Sequence, residues 1–117
     1  ARNRVFDFLS RLYHAPLTKS LNLDDLELTR IPWYVFELTG LTQLSLARNK
    51  IATIPPGIRT LGPSLTSLDL SHNRLCSIPL DLRFLTKLED CVFTGMEMEF
   101  VPKVIRMAGV KIMLRFI

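Results

Sequence analysis

Three stretches of this 117-residue chain repeat one pattern. They read LNLDDLELTRIPWYVFELTG from Leu21, LTQLSLARNKIATIPPGIRTLGPS from Leu41 and LTSLDLSHNRLCSIPLDLRFLTK from Leu65. With Thr18, Leu41, Leu65 and Leu88 as position one of successive units, the starts are 23, 24 and 23 residues apart. A self-similar period in the low twenties restricts the chain to stacked units, because one unit of this length cannot bury its own apolar face.

The apolar positions predict how each unit is built. Position four is Leu21, Leu44, Leu68 and Cys91, and position six is Leu23, Leu46, Leu70 and Phe93. Residues two apart share one face of a strand, so both columns point into the core. Position eleven (Leu28, Ile51, Leu75, Met98) turns the chain away. Position fourteen (Ile31, Ile54, Ile78, Val101) precedes Pro32, Pro55, Pro79 and Pro102, and proline suits a segment that needs no ladder donor. Position eighteen (Val35, Ile58, Leu82, Ile105) points back inward. Each buried Leu or Ile contributes about 1.5–3 kcal/mol before chain entropy is subtracted.

Position nine is Asn49 and Asn73 in the inner units but Leu26 and Met96 in the outer ones, as expected of atypical ends. The frame L-x-x-L-x-L-x-x-N-x-L-x-x-I-P resembles the leucine-rich repeat superfamily over residues 18–109. The short units and their I-P-x-x-I/L signature look like its cytosolic branch. The resemblance implies an α/β fold: a curved solenoid of about four repeats with a parallel concave sheet. It also implies that Asn49 and Asn73 form a ladder satisfying backbone groups where strand meets loop.

The expected organisation is an N-terminal helical cap over 1–17, repeats over 18–40, 41–64, 65–87 and 88–109, and a C-terminal capping helix over 110–117. Val5, Phe6, Leu9, Leu12 and Tyr13 follow helical spacing, with Arg4, Asp7 and Arg11 off that stripe and Pro16 as the stop. A membrane-surface helix is the rival for this segment. The sequence VPKVIRMAGVKIMLRFI resembles the last repeat of cytosolic leucine-rich repeat proteins. In these a glycine, here Gly109, precedes a capping helix whose stripe would be Ile112, Met113, Phe116 and Ile117.

Composition narrows the function. No apolar run is long enough to span a bilayer, and Asp7 and Arg11 break any signal-peptide core. Cys76 and Cys91 fall on different sides of the expected cross-section, so both read as free thiols of a reducing compartment. The expected location is cytoplasmic. His14 and His72 lack ligand neighbours, and no metal or other cofactor is expected. The net charge of +4 is modest and its basic residues are scattered, which disfavours nucleic acid. The five glycines are dispersed, so no phosphate loop exists. His72 beside Asp69 and Ser71 on an open face would exclude little water, so no enzyme is expected.

Two surfaces remain. Strand positions three, five, seven and eight, with ten at the rim, should line the concave face. The chargeable candidates there are Asp24, Asp25, Glu27, Arg48, Lys50, Asp69, His72, Arg74, Asp90 and Glu97. At positions eight and ten they run acidic, basic, basic, acidic. That order reads either as mutual pairing or as a template for a partner. On the convex side Trp33, Tyr34, Phe36 and Phe84 form a second candidate surface, unless they pack on each other or on the first helix. The expectation is a non-catalytic adaptor, scaffold or targeting subunit in signalling, binding another protein or peptide on the concave face. Relatives by resemblance regulate small GTPases, phosphatases and ubiquitin ligases. The alternative is a repeat segment of a larger protein that positions a neighbouring domain, with weak self-association through the C-terminal end.

Overall fold

The computed structural model describes residues 9–13, 16, 18–76, 80–96 and 113–115. Among these residues, five short strands form one parallel sheet in chain order: β1 (Ser20–Asn22), β2 (Gln43–Ser45), β3 (Ser67–Asp69), β4 (Asp90–Val92) and β5 (Met113–Arg115). Leu21 pairs with Leu44, Leu44 with Leu68 and Leu68 with Cys91, so the register of the sheet is the register of the repeat. A 3-10 turn follows each of the first three strands, at Trp33–Glu37, Pro56–Leu61 and Leu80–Phe84. The first two open directly after Pro32 and Pro55. A proline with fixed φ presets the entry to such a turn and forfeits no needed donor.

One continuous core runs between the strands and these turns. Position four (Leu21, Leu44, Leu68, Cys91), position six (Leu23, Leu46, Leu70, Phe93) and position eighteen (Val35, Ile58, Leu82) are buried throughout. The residues expected at Met98, Val101 and Ile105 lie outside those described, as does Ile78. The additional residue of the second unit is absorbed after Leu61. There Leu65 N–H reaches back to the Leu61 carbonyl at 2.8 Å, and the Ser64 hydroxyl donates to the carbonyls of Leu41 and Thr39 at 2.8 and 3.0 Å. The insertion therefore closes on itself without disturbing the strand register.

Both ends depart from expectation. At the start, residues 9–13 are helical, but Leu9 is 58% and Tyr13 73% exposed, and only Leu12 of the described stripe packs on the core. Val5 and Phe6 lie outside the described residues. Pro16 was expected as the stop. It is itself helical, as is Thr18, and the chain turns at Lys19, whose φ is +58°. Arg11, placed off the apolar stripe by spacing, instead faces the stack. Its Nη1 donates to the carbonyls of Asp24 at 2.8 Å and Asn22 at 3.4 Å. At the other end, Met113–Arg115 is a strand in register with β4, where a capping helix was expected over 110–117. Cys91 pairs with Leu114, one further repeat period along, and K-x-x-L-x-F from Lys111 continues the L-x-x-L-x-L frame. Helical spacing over so short a stretch was outweighed by pairing to an open sheet edge.

Candidate functional site

The strand-to-loop turn comes first because it fixes which side chains are displayed. Asn49 is buried and uses its whole amide. Its Oδ1 accepts from the N–H groups of Leu26 and Leu28, each at 3.0 Å, and its Nδ2 donates to the carbonyls of Leu23, Leu46 and Ala47. Asn73 repeats this one unit on, taking the Ile51 N–H and donating to Leu46, Leu70 and Ser71 carbonyls. The turn also forces position eight into the left-handed region: φ is +59° at Asp25, +56° at Arg48, +54° at His72 and +74° at Gly95. Only Gly95 adopts this without steric cost.

On the strand face, position three carries Ser20, Gln43, Ser67 and Asp90, and position five carries Asn22, Ser45, Asp69 and Val92. None of these residues is buried. Across β1 to β3 they and the intervening Leu21 and Leu44 line a hollow of about 260 Å³. Position seven turns inward instead. Ala47 and Ser71 are buried, and the Asp24 side chain is only 14% exposed. The Asp24 Oδ1 accepts from the Ser45 hydroxyl at 2.6 Å and the Ala47 N–H at 2.8 Å. This carboxylate fastens the first repeat to the second. Asp69 accepts the Ser71 N–H at 2.9 Å and forms no ion pair among the described residues.

The charged rim resolves into paired and unpaired members. Arg48 Nε lies 2.9 Å from both Asp25 oxygens, and its Nη2 reaches Asp25 at 2.9 Å and Asp24 at 3.5 Å. The hydrogen bond and charge of Asp25 raise the Arg48 pKa further above its ordinary value. The side chain of His72 lies over Gly95. Lys50 and Arg74, on adjacent repeats at position ten, make no ion pair among the described residues. Glu27 and Asp90 have partners of their own. Glu97 lies outside the described residues. Among the described residues, the acidic–basic order thus pairs between the first two repeats and leaves Lys50 and Arg74 without an ion pair between the second and third.

On the convex side Trp33 is 69% exposed and meets Tyr34 edge-on, with ring centroids 5.3 Å apart. Tyr34 and Phe36 are half-buried against the core. Partial burial raises the Tyr34 phenol pKa. Phe84 is 38% exposed between the guanidinium groups of Arg59 and Arg83, at 4.3 and 4.7 Å from its ring centroid. Arg59 also pairs with Asp81 at 2.9 Å. Trp33 and Phe36 line one place, with Tyr34 behind Trp33, and Phe84 belongs to another.

Among the described residues no group of three His, Cys, Asp or Glu could hold a metal ion, and no helix is long and apolar enough to cross a membrane. Cys76 is exposed, whereas burial pushes the Cys91 thiol well above its ordinary pKa, so it stays protonated.

Comparison with known proteins agrees with this geometry. The leucine rich repeat family profile matches residues 16–75. A solved leucine-rich repeat protein of Leptospira interrogans superposes with a TM-score of 0.60 at 26% identity, over 75% of this chain and 22% of its own. The span compared is thus about a fifth of that protein's length. No curated protein matches significantly.

Proposed function

Because the chain belongs to the leucine-rich repeat family, we propose that it works as a non-catalytic adaptor, scaffold or targeting module that holds a partner protein on its strand face. Leucine-rich repeat domains are generally protein–protein interaction modules, and that much follows from membership. The observation carrying the finer reading is the hollow over β1 to β3. It is floored by Ser20, Asn22, Gln43, Ser45 and Ser67, with an Asp69 carboxylate that makes no ion pair among the described residues. Short hydroxyl and amide side chains let an extended segment or the edge of a folded domain approach closely and hydrogen-bond through its main chain. Asp69 favours a basic side chain there, and the rim at Lys50 and Arg74 favours acidic flanks.

The test is capture from lysate with three baits: wild type, Gln43→Arg/Ser67→Arg, and Arg48→Glu/Arg74→Glu. The first pair adds bulk and charge to position three without touching the core. A partner lost by Gln43→Arg/Ser67→Arg, at an unchanged melting temperature, supports the strand face. A partner retained by it removes that assignment. Loss on Arg48→Glu/Arg74→Glu as well would include the rim.

The second reading, a repeat segment that positions a neighbouring domain, is supported by the much greater length of the Leptospira relative. It predicts self-association that saturates with protein concentration and is competed by the neighbouring domain, measured by sedimentation equilibrium.

A further inference from the structure

We infer that the convex groove between the first and second repeats is a second, independent binding site, which takes an acidic peptide segment carrying an apolar anchor residue. The groove has a volume of about 610 Å³, and Arg30, Pro32, Trp33, Phe36, Pro55 and Gly57 are among the residues that line it. That volume falls within the roughly 300–1,000 Å³ typical of pockets that enclose a ligand.

Its walls are set before anything binds. Phe36 lies so close over Gly57 that a Cβ there would come within 2.8 Å of the ring, so the ring crosses from one repeat to the next and joins them beneath the groove. Trp33 is steadied by its edge-on contact with Tyr34 and still leaves most of its surface in water. A large aromatic held in one conformation loses little entropy when it is covered, which is why such residues dominate binding energy.

Two features identify the occupant. Pro32 and Pro55 have no N–H to donate, and their carbonyls already accept from the Val35 and Ile58 N–H groups, so these parts of the wall offer a strand's main chain little and recognition falls to a side chain inserted among the rings. Among the described residues, Arg30 is the one charged residue lining the groove; it is exposed and makes no ion pair there. Its guanidinium matches a carboxylate next to the anchor, and a planar fork of donors gives that contact direction as well as charge. The strand-face hollow is lined by short polar residues and carries Asp69, so the two surfaces favour peptides of opposite charge.

Trp33 is the only tryptophan in the chain, so its fluorescence reports occupancy of this groove directly. The experiment is selection of a phage-displayed random peptide library on the intact chain, followed by titration of the enriched peptides while Trp33 emission is recorded. The expected result is enrichment of peptides with Asp or Glu beside an aromatic, aliphatic or proline residue. Their binding should shift Trp33 emission to the blue and weaken as salt is raised. Arg30→Glu should weaken it by about tenfold or more, as truncating or reversing a central contact does. Trp33→Ala, followed by calorimetry, should do the same.

Gln43→Arg/Ser67→Arg should leave this binding intact, which separates it from failure of the strand-face reading. Any of these results would overturn the proposal: no enrichment, enriched peptides without the acidic–apolar pairing, affinity indifferent to Arg30→Glu in a variant that melts like wild type, or a Trp33 shift produced by raising protein concentration alone, which would assign the groove to a second copy. A shift produced equally by neutral lipid vesicles and unaffected by Arg30→Glu would assign it to a membrane surface and also overturn it.

Discussion

Asn49 joins more of the structure than any other polar side chain described. It satisfies two N–H groups of the first repeat, and its amide donates to three carbonyls drawn from the first and second. Removing the amide strands buried backbone groups, at about 1–3 kcal/mol for each left without a partner. Asn49→Ala should therefore lower unfolding free energy in urea by about 3 kcal/mol, and more than Asn73→Ala, because Asn73 is half-buried and bonds fewer N–H groups. Equal effects would mean that water replaces the lost bonds. Position eight makes a second residue-scale prediction. Gly95 has a φ of +74°, and a Cβ there would strike the His72 ring. Gly95→Ala should cost about 1–2 kcal/mol for the left-handed backbone alone, and the steric part should be relieved by adding His72→Ala. A double-mutant cycle in urea measures that coupling, and strict additivity would show that the ring moves aside freely. Spacing placed Asn49 and Asn73 at one position, and the family resemblance implied their ladder. The left-handed column was not legible in the sequence, since Asp25, Arg48, His72 and Gly95 have little in common except the turn that holds them.

At the scale of elements, the open side of β1 shows how one side chain stands in for a missing neighbour. Inside the sheet the carbonyls of Ser45 and Asp69 accept N–H groups from the preceding repeat, Leu23 and Leu46, at 2.8 Å. The carbonyls of Asn22 and Asp24 face the end of the stack, and Arg11 supplies their donor. Arg11→Ala should free residues 9–13 and speed amide exchange at Leu23 and Asp25, while exchange at Leu68 and Leu70 stays slow. Uniform acceleration would mean that the helical segment supports the whole stack. Sequence periodicity predicted a helix with Leu9, Leu12 and Tyr13 inward; among the described residues Leu12 packs on the core, Leu9 and Tyr13 are exposed, and Arg11 faces the stack. Periodicity ranked residues by hydropathy, whereas the edge strand needed a charged hydrogen-bond donor. The opposite error occurred at β5, where a repeat-length offset from Cys91 to Leu114 outweighed a helical pattern only a few residues long.

Over the whole molecule, cooperativity follows from the continuous core. Leu46 and Leu70 are fully buried in successive repeats, with neighbours on both sides. Leu46→Asp or Leu70→Asp puts a charge where no partner exists and should abolish the cooperative thermal transition seen by circular dichroism. A melt near the wild-type temperature would break the register. Arg48→Glu, by contrast, places like charges beside Asp25 and Asp24 in water-exposed surroundings. It should lower the melting temperature only slightly, and less at high salt. Thiol chemistry reports on the same architecture. In the native state one thiol, Cys76, should react promptly with a disulfide reagent, and Cys91 should react only on unfolding, since burial keeps it protonated. Rapid reaction of both would show that the fourth repeat opens independently.

The family resemblance carried by the repeat frame implied the parallel order of β1 to β4 and the ladder of Asn49 and Asn73, while the repeat period by itself determined the stacking of units and the inward columns at positions four, six and eighteen. The stacking and the columns follow from which side chains lie on one face at a fixed spacing. Tertiary structure alone decided that Asp24 and position seven turn inward, that Arg48 closes on Asp25, that Trp33 stands exposed beside a groove and that Arg11 caps β1. Those outcomes depend on contacts between residues about 10–27 positions apart, or on which hydrogen-bonding groups an edge leaves unmet, and a one-dimensional pattern does not carry that information.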